Sequence, residues 1–281
     1  MPAPQASMMQ QFARAQFMSF ALRVPTNWQD PQGDPAASQY GNAFKDGEKA
    51  TAPGAPPLFI AATANKYHTD TQKMLIDKIG SFIDKTCSAI CSAWSTWQSG
   101  ASMASIVVAG PVATGGVLVG PPLQPLIMAQ GAVSTPSLLK FTNVIASVIS
   151  TAWQTFTATV TIPGLPIFPL FTAFPGPTVP APVPNQVPLM FVQMVQVPAS
   201  IMAAAMKAQM IGQLGDPQAP FAPQIFDAIC TAFSQCYDIW KASTTVMVMA
   251  SGGVVATFVP PVPVPGPVAG AIGIVSPGGL M

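Results

Sequence analysis

Charged side chains are scarce in this sequence: 21 of 281 residues, 11 basic and 10 acidic, for a net charge of +1. An ordinary soluble domain is about a quarter charged. A charged fraction of 7% excludes a disordered polyelectrolyte and a nucleic-acid-binding surface built on lysine and arginine. Histidine is scarcer still, with His68 alone. Metal centres draw on clustered ligands, and Asp70 and Asp77 stand near His68 at no recognised spacing, so His68 is read as a surface or helix-capping residue. There is no G-x-S-x-G and no Cys–His pairing of a nucleophilic site. The glycine runs at 114–116 and 251–253 lack the G-K-[ST] ending of a phosphate loop. Beyond residue 85 the carboxylates are Asp216, Asp227 and Asp238, too few and too dispersed for acid–base work in a cleft. These absences predict no catalytic residue, no cofactor and no metal, and hence no enzyme.

The few cysteines tell the same story. Cys87, Cys91, Cys230 and Cys236 lie in apolar helical pattern without C-x-x-C spacing and are expected to be reduced core residues. The start of the chain lacks a basic stretch followed by an apolar run and a cleavage site, so synthesis and retention in the cytoplasm before assembly are expected.

The charges that are present are unevenly placed. Residues 1–85 hold 15 of them; the rest of the chain holds only Lys140, Lys207, Asp216, Asp227, Asp238 and Lys241. A free soluble surface is about a quarter to a third charged, which the last two thirds cannot supply, so burial against other subunits or a membrane is expected there. Two apolar stretches, 102–120 and 243–259, approach the length of a membrane span. Each is broken near its middle, by Gly110-Pro111 and by Gly252-Gly253, and neither has the flanking basic clusters that orient a span.

What the sequence does have is a repeated pattern. Three sixteen-residue segments align without gaps: FIDKTCSAICSAWSTW from Phe82, FTNVIASVISTAWQTF from Phe141 and IFDAICTAFSQCYDIW from Ile225. Phe82, Phe141 and Ile225 open them, and Asp84, Asn143 and Asp227 follow. The aromatic pairs Trp94/Trp97, Trp153/Phe156 and Tyr237/Trp240 close them. Apolar residues at three- and four-residue steps predict a helix in each, with apolar coverage wide enough for partners on more than one side. Asp84, Asn143 and Asp227 are expected near the helix starts, as caps or dipole partners.

After each helix comes a β-branched run, a Gly/Pro break, a second apolar run and a proline exit: MASIVVAGPVATGGVLVGPP, TATVTIPGLPIFPLFTAFPGP and STTVMVMASGGVVATFVPP. This predicts a β-hairpin with strands apolar on both faces. The fold class expected is α+β, with three internal helix–hairpin repeats joined by Pro/Gly-rich extended connectors. The organisation is residues 1–60 as an N-terminal helix (Gln5–Leu22) and polar loop, 61–135 as unit 1, 136–198 as unit 2 with a proline-rich connector over 175–198, and 199–281 as unit 3 with an extended tail. Thr69 or Asp70 is expected to start the first repeat helix, and a short helix at Ala199–Leu214 to stop at Gly215-Asp216-Pro217. The nine residues that open and close the units are its structural anchors.

Charge poverty, repeated hairpins and proline arms suit a subunit that buries its surface against copies of itself and other subunits. The stretches FIDKTCSAICSAW, GGVLVGPPLQP, TAFPGPTVPAPVP and GPVAGAIG resemble structural proteins of phage tails and contractile injection machines, over residues 60–281. The resemblance implies a virion-type component associated with a baseplate, spike or collar; it carries over no site residues. Three units in one chain allow a pseudo-trimeric collar, or a ring of nine units from three chains. The alternative expectation is a membrane-active, pore-forming or puncturing protein whose apolar hairpins insert.

Overall fold

The computed structural model describes residues 3–21, 66–195, 201–216, 219 and 221–281, with the backbone alone at 66–73, 75 and 76. The expected polar loop at 23–57, Pro217 and the side chains of His68, Thr69 and Asp70 lie outside the described residues. Helices and antiparallel sheet share the chain, as in an α+β fold.

Six helices are described: α1 (Ala6–Ser19), α2 (Lys66–Gly100), α3 (Leu123–Gln130), α4 (Pro136–Thr157), α5 (Ala203–Leu214) and α6 (Ala222–Ser243). Local chemistry explains several ends. Thr135 caps α4 by accepting a hydrogen bond from the Leu138 N–H, with Pro136 in the first turn, where its missing N–H costs nothing. Gly215, at φ 60°, closes α5 in the left-handed conformation that glycine takes without strain.

The long helices α2, α4 and α6 form the inner layer, and each of the other three lies in a groove between two of them. Helix α1 packs on α2 and α6, α3 on α2 and α4, and α5 on α4 and α6. Helix α3 is not expected from the sequence, because Pro125 and its eight-residue length hide it.

Each inner helix runs on into strands. They are β1 (Ser102–Ala109), β2 (Val112–Val119), β3 (Ile162–Pro166), β4 (Thr178–Pro184), β5 (Leu189–Met190), β6 (Thr245–Val246), β7 (Met249–Val255), β8 (Phe258–Val259), β9 (Val262–Pro263), β10 (Val268–Ala269) and β11 (Ala271–Val275). The main sheet is antiparallel throughout. From β3 it passes to β2, β1, β11 and β7; β10 extends the line of β11 along β7, and β4 lies on the other side of β7.

The two edges of this sheet meet. Beyond β4, the N–H groups of Gln186 and Val187 donate to the Ile167 carbonyl, and Thr161 N–H donates to the Met194 carbonyl. The result is a barrel of six strand positions: β1, β2, β3, β4 with β5, β7 with β6, and β11 with β10. Three prolines in β4, at 180, 182 and 184, remove ladder donors, and among the described residues the seam is joined before β3 and beyond the ends of β3 and β4.

The barrel interior is filled. Met103, Ile106, Val108, Ala113, Leu118, Ile162, Val248, Ala250, Ala271 and Val275 are all buried, as inward positions of a small barrel should be. Gly116 and Gly273 also face inward, where an added Cβ would lie within about 3 Å of Ile106. Stacked Phe168 and Phe171, both buried, close the end far from the helices.

Two expectations about the hairpins are corrected. In the second unit the Pro-Gly-Leu-Pro break is part of β3 itself, and the partner strand β4 lies in the stretch expected to be a connector. In the third, Ser251-Gly252-Gly253 lies within β7, and the return strand is β10–β11 in the expected tail. Only Gly110-Pro111 is the turn the sequence suggested. The tail lies against the body: Met281 exchanges backbone hydrogen bonds with Thr245.

Candidate interaction surface

The nine anchor residues converge where the helices meet the barrel and at the opposite end of the helices. Trp94, Trp97, Trp153, Phe156, Tyr237 and Trp240 are all buried and form one aromatic cluster. Trp153 lies at its centre, with ring centroids 4.7 Å from Trp94, 4.8 Å from Trp97, 5.3 Å from Phe156 and 5.9 Å from Trp240. Most of these pairs are edge-to-face or tilted, the geometry the ring quadrupole favours. One polar thread crosses the cluster: Trp240 Nε1 donates to Gln98 Oε1 at 2.9 Å, and Gln98 Nε2 donates to the Leu280 carbonyl at 3.0 Å. It ties α2, α6 and the last strand segment together.

Four turns away, Phe82, Phe141 and Ile225 meet around an apolar pocket of about 140 Å³, with Ile79, Leu138 and Lys78 on its walls. Phe82 and Phe141 touch edge-to-face at 6.0 Å. Sequence periodicity placed these residues on inward faces, but not the pocket they share.

Asp84, Asn143 and Asp227 are not at helix starts. Helix α2 begins well before Asp84, and neither α4 nor α6 has an acidic residue in its first turn. Each instead receives a hydrogen bond from the outer helix lying beside it. Arg14 of α1 grips Asp84 with Nε at 2.8 Å and a second nitrogen on the other oxygen. Gln124 of α3 donates to Asn143 at 3.3 Å. Lys207 of α5 and Gln16 of α1 donate to Asp227 at 2.7 and 2.8 Å. These polar brackets fix the outer helices in register. Asp227, with two partners and 20% exposure against 26% for Asp84, is the stronger bracket. Asp227→Ala is expected to lower stability by about 1 kcal/mol, and Asp84→Ala by less, as read from urea midpoints.

The four cysteines are free and buried. Burial pushes their thiols up, to about 11 for Cys236 and about 12 for Cys91, and Cys87 and Cys230 further still. Thiolate is the reactive form, so the native protein should show no reaction with a thiol reagent at pH 8, and all four thiols should react in denaturant. The folded state also holds protons that unfolded thiols release near pH 8.5. Their contribution to stability is therefore complete below that pH and declines as pH rises towards 11–12.

The chemistry of the remaining groups is sparse. Among the described residues, no three His, Cys, Asp or Glu lie together in a way that could hold a metal. Asp227 is held in its bracket, and Asp238 accepts from Lys241 at 2.9 Å on the same helix. The glycine runs lie in strands β2 and β7, away from any helix N-terminus.

The dominant surface feature is a segregation of charge. The described charged residues all lie on helices, except Asp216 just past the end of α5. The barrel and its loops, residues 101–122, 158–195 and 244–281, contain none. The barrel's outward positions carry apolar and small side chains: Val107, Val117, Val119, Val254, Ile272 and Ile274 are 44–63% exposed. Val107 and Ile272 stand side by side across the β1–β11 pair. Among the described residues no helix is long and apolar enough to cross a membrane, and the two stretches considered as spans are strands.

Comparison of the chain with protein-family models, with curated proteins and with solved structures finds no match.

Proposed function

We propose that this chain is a non-enzymatic structural subunit of a large assembly, of the phage-tail or contractile-injection kind, in which the barrel is the buried, subunit-contacting part. The observation that carries this reading is the charge segregation. A helical layer with ion pairs and lysines is suited to water, whereas a barrel clothed in valine, isoleucine, alanine and proline is suited to being covered.

Three equivalent helix–hairpin units belong to the same reading. Supporting them, the second strand of each unit pairs with the first strand of the next: β2 with β3, β4 with β7, β11 with β1. Each outer helix likewise packs on the inner helix that follows it in the chain and on the inner helix before that, with α1 closing the cycle on α6. Cys91 and Cys230 each meet a methionine sulfur on the outer helix that precedes their inner helix, Met9 at 3.7 Å and Met210 at 3.6 Å. On this reading the three units succeed one another cyclically around one axis.

Strand length weighs against the membrane-active alternative. Among the described residues the longest strands have eight residues, short of the roughly nine to eleven a spanning strand needs. In cells that make it, the chain is expected to sediment with large particles, and the purified chain not to float with liposomes. Recovery from cells only as a slowly sedimenting 29.1 kDa species would end the assembly reading; co-flotation would favour the membrane one.

A further inference from the structure

Resting on that reading, we infer that the barrel is seated on the axis of a homotrimeric partner, one copy of this chain to three copies of a second, with the partner's chains closed around the barrel. The inference starts from where the uncharged surface lies. It is not confined to one face. Outward positions are uncharged at every strand position, from Val107 on β1 and Val117 on β2 through Pro163 on β3 and Pro180 on β4 to Val254 on β7 and Ile272 on β11. A second copy docked side by side covers one flank and leaves the rest wet; a surface neutral all round calls for a partner that goes all round.

The size of that surface is sufficient. Six strand positions about 4.8 Å apart, tilted by about 40°, give an outer circumference of roughly 60 Å once side chains are added. Over a height of about 18 Å the wall then offers roughly 1,100 Å². A standard stable interface uses about 800 Å² per partner.

The symmetry of the partner follows from the succession of strands. First-strand and second-strand positions alternate around the barrel, so the outer wall presents the same kind of strand pair three times per turn. A ring with a three-fold axis meets a near-equivalent strand pair at each of its subunits, whereas two- or four-fold rings do not. The departures from three-fold likeness are the β3–β4 seam, where the two strands share no ladder, and the ends, where the turn at 110–111 is short and the loops at 167–177 and 256–267 are long. A single chain of this build can fill the centre of a trimer and present one unique end.

Native mass spectrometry of the complex recovered from producing cells through a tag on this chain tests the inference, with Val107→Lys combined with Ile272→Lys as the barrel variant. The expected spectrum contains one copy of this chain bound to three copies of one other chain. The expected variant loses at least tenfold of that complex, while its circular dichroism and melting transition stay native. An Asp238→Asn control on the helical layer should retain it. Equal numbers of the two chains, a ring of this chain alone, or a 1:3 complex undisturbed by a folded Val107→Lys/Ile272→Lys variant would overturn the inference while leaving an assembly role intact. Recovery of the free 29.1 kDa chain alone would remove both.

Discussion

Trp153→Ala should destabilise the protein by about 4 kcal/mol, the range for a large aromatic removed from a core that cannot collapse around the gap. The indole is 1% exposed and touches rings from all three inner helices: Trp94 and Trp97 on α2, Phe156 on its own α4, and Phe233, Tyr237 and Trp240 on α6. It also lies at the junction of helices and barrel, so no single element can relax into its place. Urea unfolding followed by circular dichroism reads the loss, and for many domains a loss of this size approaches the whole stability. Trp153→Phe, which keeps most of the ring contact, should recover a good part of it. A cost below about 1 kcal/mol for the alanine variant would mean that the inner helices do not meet through these rings.

The second large effect lies in the barrel. Gly253, in β7, has φ 77°, and a Cβ there would stand 2.8 Å from both the Ala269 carbonyl oxygen and the Ala271 nitrogen. Both are main-chain atoms of the neighbouring strand line, which cannot swing aside as a side chain does. Gly253→Ala therefore combines a left-handed backbone cost with forced separation of β7 from β10–β11, for about 3–5 kcal/mol in all. Gly252, next to it, has φ 72° but nothing within 4 Å of an added Cβ. Gly252→Ala should cost only about 1–2 kcal/mol, the backbone part alone. The difference between the two variants measures how tightly the barrel is closed at that point.

The helices other than α3 were legible in the sequence and most of the strands were not, for physical reasons visible at particular residues. A sixteen-residue pattern with aromatics at fixed positions records which faces are buried, but not that Trp94, Trp153 and Trp240 meet one another in a single cluster. The strands of the second and third units are obscured because their prolines and glycines imitate turns. Proline at every second position of TVPAPVP looked like a connector, yet that stretch is β4. The two glycines of β7 looked like a break, yet with positive φ they let the strand continue against its neighbours. Asp84 is no cap because α2 runs from Lys66 through the repeated segment, an extension that the start signal at Thr69 and Asp70, and not the sixteen residues, points to. The cross-helix partners of Asp84, Asn143 and Asp227 come from outer helices outside the repeated segment, so no periodicity within it points to them. The charge map was fully legible, and its division at residue 85 becomes a division between layers only once Lys140, Lys207, Asp227, Asp238 and Lys241 are all seen to lie on helices.

We propose that the barrel's outer wall is covered by other chains in the assembled protein. Size-exclusion chromatography with light scattering on the purified chain, at micromolar concentration and moderate salt, tests it most directly. The wild-type chain, lacking its partners, is predicted to self-associate and elute at a mass well above 29.1 kDa. The Val107→Lys/Ile272→Lys variant is predicted to elute as a folded single species at the monomer mass. A wild-type chain that runs as a stable, monodisperse monomer at high concentration would contradict the claim.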